Sequence, residues 1–510
     1  MVAAIALAAD LGLGQPLEHI LRSCIIGTRL ADDVGASPDE RDATYWVTLL
    51  MTAGCTAVSY EMSQVFGDDI AFRAGAAEMG ASNLDQFRYI LRSAGSGRGL
   101  LGRTKLRVDM LRTKMSMLER IFLDHCHVGM RLAERLGLGE PVVAAMSQVF
   151  ARWDGKGLPQ GVRGDDIALA TRIANLANTV EIADRTGGVD AAIERARQFS
   201  GTEFDPALVE HWSQAAPKLL DGVDAESAWD RVVASQPSGR GALTEAELDD
   251  ALDLLADYSD LKSPWLTGHS RAVAGLAEAS GRVAGLPESE VLALRRAALV
   301  HDIGRNGVPN NIWDKRGPLT ASDKERVRLH AYYTDRVLHR ASRLSALAEV
   351  ASAAHERSTG TGYPRGISGA SLPLLGRILA ASDAYNAMLE DRPHRPPLTR
   401  ADAAAELRKA AREGELDGSA VDAVLAAAGH PVRRKPSTPA GLTAREVEVL
   451  VLAARGATTK ALAAELGITP KTAGNHIERI YVKIGASSRA EAAMFAMQHG
   501  LVPSWETVEP

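Results

Sequence analysis

Along most of its length this chain sets Leu, Ala, Glu and Arg at helical spacing, and stretches in which Val, Ile or Thr alternate every second residue are almost absent. An apolar position every three to four residues suits a helix lying on a core, whereas a half-buried strand needs a period of two. The chain is therefore expected to be all-α. Its 510 residues exceed what one core serves, so about three or four units are expected. The formal charge of -6 neither demands nor excludes a polyanionic partner, because a local basic face can hide within it. Cys24, Cys55 and Cys126 are too few and too scattered for a disulfide framework or a cysteine-rich zinc site, which fits a reducing, cytoplasmic setting. The apolar opening Met1–Ala9 has no basic leader and meets Asp10. It falls short of the ~20 residues that span a bilayer, so neither a signal peptide nor a membrane helix is expected.

Two segments punctuate the helical pattern: Ser235–Gly241, rich in Ser, Gly and Pro, and Pro431–Ala440, with three prolines and the run Arg433-Arg434-Lys435. Both read as linkers. They delimit domains at 1–235, 242–430 and 441–510, with 431–440 joining the last two. Sliding the first block over the second by 250 residues sets His19 on His269, Gly35 on Gly285 and Gly54 on Gly304. After extra residues in the first block, a second register sets His125 on His330, and Gly155-Lys156-Gly157-Leu158-Pro159 on Gly360-Thr361-Gly362-Tyr363-Pro364. The two blocks are read as long, divergent copies of one unit rather than short solenoid repeats.

The second block carries His269 on a helix expected to start with Thr267 as N-cap, and His301-Asp302 at the end of a helix from Glu288, with Gly304 as the expected C-cap. His330, His355 and Asp383 follow on separate segments. Neutral nitrogen mixed with anionic oxygen suits borderline to hard first-row cations, and one carboxylate can bridge two of them. His339 and His430 are read as ordinary surface or core residues.

The order His269, His301-Asp302-Ile303-Gly304, His330, His355-Glu356, Gly362-Tyr363-Pro364 and Asp383 resembles the HD-GYP branch of the HD phosphohydrolases, over roughly 254–412. The resemblance implies a phosphodiesterase acting on cyclic di-GMP or a related phosphoester, with two divalent ions, Fe or Mn, that clamp the phosphate and activate water. It implies His269, His301, Asp302, His330, His355 and Asp383 as ligands, Asp302 as their bridge, and His301 and Asp302 as the catalytic pair. Arg305, Arg392 and Arg395 fall where the family puts cations facing phosphate, which a guanidinium can bind bidentately; solvated arginines are the plain alternative. Three positions depart from the family: Ala354 replaces the first His of a His-His-Glu run, Arg305 replaces a lysine, and Trp265 stands where some members have a ligating Glu.

In the first block the ligand positions read Met51, Thr52, Phe150 and Asn178, leaving only His19 and His125. Two imidazoles without a carboxylate bridge cannot hold a dinuclear site. Met and Phe are expected to fill the space, with a retained sensing pocket or a dimerisation surface as alternatives.

After the second linker, Thr443 and Glu446 form a capping box, Gly467 follows a second helix, and Thr469-Pro470 opens a third over Pro470–Ile484. Ser488 and Glu491 suggest another box before a fourth helix. The third helix presents Lys471, Thr472, Asn475, His476, Arg479 and Lys483, with Ile477, Ile480 and Ile484 on its buried side. From Leu442 to about Val502 the run resembles the LuxR-type helix-turn-helix domain, most clearly in Gly467-Ile468-Thr469-Pro470-Lys471-Thr472 and Asn475-His476-Ile477. That implies a four-helix domain whose third helix enters the major groove of double-stranded DNA, with Lys471, Thr472, Asn475, His476 and Arg479 as DNA-binding residues. Seven Lys/Arg balance seven Asp/Glu from Leu442 to Pro510, so its positive potential must come from one face. Together the blocks describe a cytoplasmic transcriptional regulator of two tandem HD-type domains and a DNA-binding domain, expected to form a homodimer without a membrane partner. The alternative is a sensor whose HD-type domains bind metal or nucleotide without turnover.

Overall fold

The computed structural model describes residues 1–79, 83–113, 116–225, 227–237, 243–431 and 439–502. Among them the structure is helical throughout, with isolated bridges but no strand, as the periodicity requires. The chain divides into two compact units, Met1–His430 and Pro431–Pro510. Of the two linkers, residues 238–241 and 432–438, with the Arg433-Arg434-Lys435 run, lie outside the described residues.

The first unit contains both halves of the duplication, and their shared geometry goes well beyond matched letters. In each half a buried aspartate, Asp10 or Asp260, accepts a backbone N–H ten residues on, from Ile20 at 3.1 Å or Ser270 at 3.0 Å. That bond fixes the entry to the helix that bears His19 (His19–Asp33) or His269 (His269–Val283). Thr267 is not the N-cap of the latter; it belongs to the preceding turn, where its hydroxyl donates to the Pro264 carbonyl. The cap is Gly268 at φ 79°, and the first half reaches the same left-handed conformation with a non-glycine, Glu18, at φ 76°.

Gly304 is likewise not a helix stop. Helix Glu288–Val300 ends at His301 without a left-handed residue, and the chain continues into a 3-10 turn over Ile303–Gly307. Gly304 is needed for close approach: a Cβ there would sit 2.1 Å from the His330 carbonyl oxygen, and one on Gly54 would sit 2.2 Å from that of His125. Each glycine thus lets the HD turn, or its remnant, press on the helix that follows, Ala321–Arg340 or Ser116–Arg135.

Where the second half has the one-turn helix Asn310–Trp313 between these points, the first carries the helices Ser59–Phe66, Asp69–Glu78, Asn83–Ser93 and Leu100–Arg112. They share a small core of Val58, Met62, Val65, Phe66 and Met110. The halves meet through buried polar pairs as well as apolar side chains: Thr56 donates to the Tyr258 hydroxyl at 2.7 Å, and Lys262 lies 3.3 Å from Asp69 with both side chains fully buried.

The second unit is the expected four-helix bundle, Ala444–Ala454, Thr459–Glu465, Pro470–Ile484 and Arg489–Gln498. Leu442, Val449, Leu450, Leu462, Ala473, Ile480 and Ala496 form its core, with Ile477 and Ile484 at the margin. The Thr443/Glu446 capping box is present. At the last helix the box is only half made: Ser488 accepts from the Glu491 N–H, but the Glu491 carboxylate accepts from the N–H of Ser487. No helix among the described residues is long and apolar enough to cross a membrane.

Candidate metal centre and nucleic-acid interface

Five segments converge in the second half. His269 opens one helix, His301-Asp302 closes another, His330 lies within Ala321–Arg340, His355 ends a short turn at Ala353–His355, and Asp383 lies within Leu374–Leu389. His269 Nε2 lies 3.3 Å from both Asp302 Oδ2 and Asp383 Oδ1. His301 Nε2 is 3.0 Å from Asp302 Oδ2, and on the opposite side Asp302 Oδ1 faces His330 Nε2 at 3.5 Å and His355 Nε2 at 3.9 Å. The donors fall into two clusters, His269/His301/Asp383 and Asp302/His330/His355. The two oxygens of Asp302 look toward one cluster each.

On three of the four imidazoles the other ring nitrogen is already used. His269 Nδ1 meets Glu390 at 2.9 and 3.0 Å, His301 Nδ1 donates to the Ala298 carbonyl at 2.7 Å, and His330 Nδ1 donates to the Val327 carbonyl at 2.5 Å. Such bonds fix the tautomer and aim each Nε2 lone pair inward. The inward atoms His269, His301, His330 and His355 Nε2, Asp302 Oδ1 and Asp383 Oδ1 are buried without a hydrogen-bond partner among the described residues, while Asp302 Oδ2 is met by the Arg305 guanidinium. At roughly 1–3 kcal/mol for each unsatisfied buried group, such a set would consume most of the ~5–15 kcal/mol that holds a domain folded. Divalent metal would relieve that cost, and the mix of imidazole and carboxylate suits it.

The electrostatics divide the imidazoles: against the effect of burial, the crowding carboxylates Asp302 and Asp383 push His269 up to about 10 and His301 up to about 9, so each holds a proton that a divalent ion would displace. Burial alone would raise the Asp302 carboxyl, but Arg305 and the imidazoles outweigh it and hold the group well below the ordinary carboxylate range. Asp383 is likewise held low, by His269 and His301 against the effect of burial. Burial, reinforced by the neighbouring His355, pushes His330 down to about 3, which keeps its imidazole neutral and able to donate a lone pair.

Of the three arginines expected to face phosphate, Arg305 is at the centre. Its guanidinium lies 2.5 Å from Asp302 Oδ2 and 5.2 Å from the centre of the Trp313 ring. Arg392 is near by, paired with Glu390. Arg395 is not brought to the centre: it donates to the carbonyls of Ala387, at 2.5 Å, and Met388, at 3.2 Å, closing the C-terminal end of Leu374–Leu389. The Gly-Tyr-Pro turn has a physical role beyond marking a loop. Tyr363 stacks on His355 at 5.0 Å, a Cβ on Gly362 would meet the Arg357 nitrogen at 2.3 Å, and the buried Glu356 accepts from the N–H groups of Arg365 and Ile367.

Glu390 and Trp313 escaped the sequence reading. Trp265 offers no carboxylate, and Glu390, four residues after Asn386, supplies one at His269 instead; only its place just before Arg392 hinted at it.

In the first half the matching positions are closed. His19 spends its two nitrogens on Glu181 and on Asn178 at 3.0 Å, and His125 Nε2 contacts the Met51 carbonyl at 2.7 Å. Phe150 packs 4.7 Å from Phe122 and 4.8 Å from His125. Aromatic packing thus fills the position that His355 takes in the other half. A cavity of about 550 Å³ lies beside it, lined in part by Phe122, Lys156, Gly157 and Gln160.

In the C-terminal unit the third helix begins as expected, with the Thr469 hydroxyl accepting the Thr472 N–H at 3.1 Å. Lys471, Thr472, Asn475 and Arg479 are exposed, and His476 is half-buried. Lys483, on the same helix, is engaged by Glu446 at 2.7 Å. Arg489 donates to the carbonyls of Ala453 and Ala457, tying the last helix to the first.

Comparison with known proteins matches residues 253–420 to the HD domain and residues 440–496 to the bacterial regulatory proteins of the luxR family. The 3'3'-cGAMP-specific phosphodiesterase 3 of Vibrio cholerae serotype O1 is 32% identical over 392 residues, covering 76% of this chain and 85% of that protein. A cyclic di-GMP phosphodiesterase of Thermotoga maritima is 36% identical over 156 residues, 30% of this chain and 41% of the relative. The crystal structure of a cyclic GMP-AMP specific phosphodiesterase of V. cholerae superimposes with a TM-score of 0.59 at 27% identity, over 84% of this chain and 97% of that one. The likeness therefore runs through both halves of the first unit. On that shared length the chain belongs to the HD-GYP phosphodiesterase family, and it adds to the family's helical core a LuxR-type DNA-binding domain.

Proposed function

We propose that the second half, 242–430, is a metal-dependent phosphodiesterase that opens a cyclic dinucleotide, and that its state is linked to DNA binding by 441–510. The observation that carries this reading is the set of buried, partnerless donor atoms aimed at one another around Asp302. His269, His301 and Asp383 would hold one ion, His330 and His355 the other, with Asp302 shared between them; iron or manganese fits this donor set. Divalent metal bound there would supply Lewis acidity to a phosphodiester and make a neighbouring water more acidic.

The protein's own contribution is placement. Glu390 and the Ala298 and Val327 carbonyls hold the imidazoles in one tautomer. Arg305 and Arg392 meet the phosphate as cations, Arg305 from the face of Trp313. Tyr363, stacked on His355, walls the site and offers a ring edge to a base. The substrate class draws support from relatives named for 3'3'-cGAMP and cyclic di-GMP. The first half, 1–235, with its histidines satisfied by protein groups, has no hydrolytic role. Lys471, Thr472, Asn475, His476 and Arg479 would contact DNA, and a two-fold dimer would present two such helices to successive major grooves.

The test is turnover of 3'3'-cGAMP and cyclic di-GMP by iron- or manganese-loaded protein, compared with Asp302→Ala. Linear product from the wild type and at least ~10³-fold less from the variant is expected, since both clusters lose their shared ligand. Loaded protein that binds the nucleotide without opening it would make the domain a sensor.

A further inference from the structure

One of the helices in the longer first-half segment between Gly54 and His125 reaches the metal-ligand half through a buried charge. Asp69, at the start of helix Asp69–Glu78, is fully buried. Its Oδ2 lies 3.3 Å from Lys262 Nζ, itself fully buried, and 3.0 Å from Arg73 Nη1. Its Oδ1 accepts the backbone N–H of Asn310 at 2.8 Å. Burying two cations and a carboxylate is costly, and hydrophobic replacements often serve stability as well or better, so stability alone does not account for the group.

Asn310 is the first residue of a one-turn helix, Asn310–Trp313, directly after the turn that carries Asp302 and Arg305. Its side-chain amide donates to the Lys262 carbonyl at 2.6 Å and to Asp314 at 2.9 Å, and Ser263 holds Asp314 at 2.6 Å. Trp313 closes this one-turn helix. Its indole donates to the Arg305 carbonyl at 3.4 Å, its face lies under the Arg305 guanidinium, and it meets the His330 ring edge-on at 5.4 Å. A continuous set of contacts therefore runs from Asp69 in one half to Arg305 and His330 in the other.

We infer that Asp69 is a positioning residue for the phosphodiesterase centre: by fixing the Asn310 amide it sets Trp313, and through Trp313 the cation and the imidazole that face the substrate. The inference rests on the reading of the second half as a phosphodiesterase. It gives the catalytically silent half a definite task, that of completing the floor of its neighbour's site.

The test separates the hydrogen bond from the charge. In the full chain, Asp69→Asn with Lys262→Met removes one charge of each sign and keeps an acceptor for the Asn310 N–H. Asp69→Ala with Lys262→Met removes the same charges and the acceptor. Hydrogen exchange of the segment 303–314 and steady-state kinetics are read on both and on the wild type. The Asn double variant should exchange and turn over within about threefold of wild type. The Ala double variant should exchange at least ~10-fold faster in that segment and lose at least ~10-fold in kcat with little change in KM, since about 1 Å of misplacement is enough for such a loss. Equal exchange in the two variants overturns the clamp, and faster exchange with unchanged kcat overturns the positioning role. A wild type without turnover removes the phosphodiesterase reading, while the exchange comparison still decides whether Asp69 holds the segment.

Discussion

Placing one methyl group on Gly304 tests how the HD turn is held. The Gly304→Ala Cβ would stand 2.1 Å from the His330 carbonyl oxygen and 2.4 Å from the Thr334 nitrogen. An ordinary C···O contact begins near 3.3 Å, so the turn and helix Ala321–Arg340 must part by about 1 Å. Backbone atoms on both sides leave no flexible side chain to yield, which puts the cost at roughly 1–3 kcal/mol, or about 2–10 °C in Tm. The same displacement separates Asp302 from His330, across the line where the second cluster forms. A loss of about 10²-fold in kcat/KM is therefore expected on top of the lost stability.

Gly54→Ala is the matched control, because its Cβ would stand 2.2 Å from the His125 carbonyl oxygen in the half without ligands. It should lower Tm to a similar degree and cost at least ~10-fold less in kcat/KM. Thermal unfolding by calorimetry and phosphodiesterase kinetics on both variants read the two effects. Equal losses of activity, or a Gly304→Ala protein with wild-type Tm, would refute the close-approach argument.

Three other outcomes follow from the contacts described. Glu390→Gln should weaken metal retention about 10–100-fold, measured by competition with a chelator, because His269 loses the carboxylate that orients it; unchanged retention would deny Glu390 that part. Lys471→Ala and Asn475→Ala should weaken a gel shift of promoter DNA with the fold intact, whereas Lys483→Ala should chiefly lower the Tm of the C-terminal domain, since Lys483 is bound to Glu446. Burial raises the Asp10 carboxyl from 3.8 to about 7 in the folded protein. Folding is then most favoured below the unfolded value and loses stability as pH rises from about 4 to 7, so Tm should fall across that window in the wild type more than in Asp10→Asn.

Much of this was legible because helices and ligands leave local marks. Capping residues at Thr443 and Thr469 set helix starts to the residue, and the paired registers of His19 with His269 and His125 with His330 disclosed the duplication. The roles of single glycines and arginines were not legible. Gly304 looks like a helix stop in a string of letters, yet it answers to a carbonyl 26 residues further along the chain. Arg395 looks like a phosphate ligand but turns to the carbonyls at the end of its own helix, a choice that depends on where the chain folds back. Glu390, Trp313 and the Asp69–Lys262 pair were missed for the same reason: each acts on a partner far away in sequence.

Metal content decides whether two ions share Asp302. Protein purified without chelator and reconstituted with iron or manganese should retain close to two ions per chain, and Asp302→Ala should retain less than one with an unchanged helical circular-dichroism spectrum. A wild type that holds no metal above the level of Asp302→Ala would contradict the account.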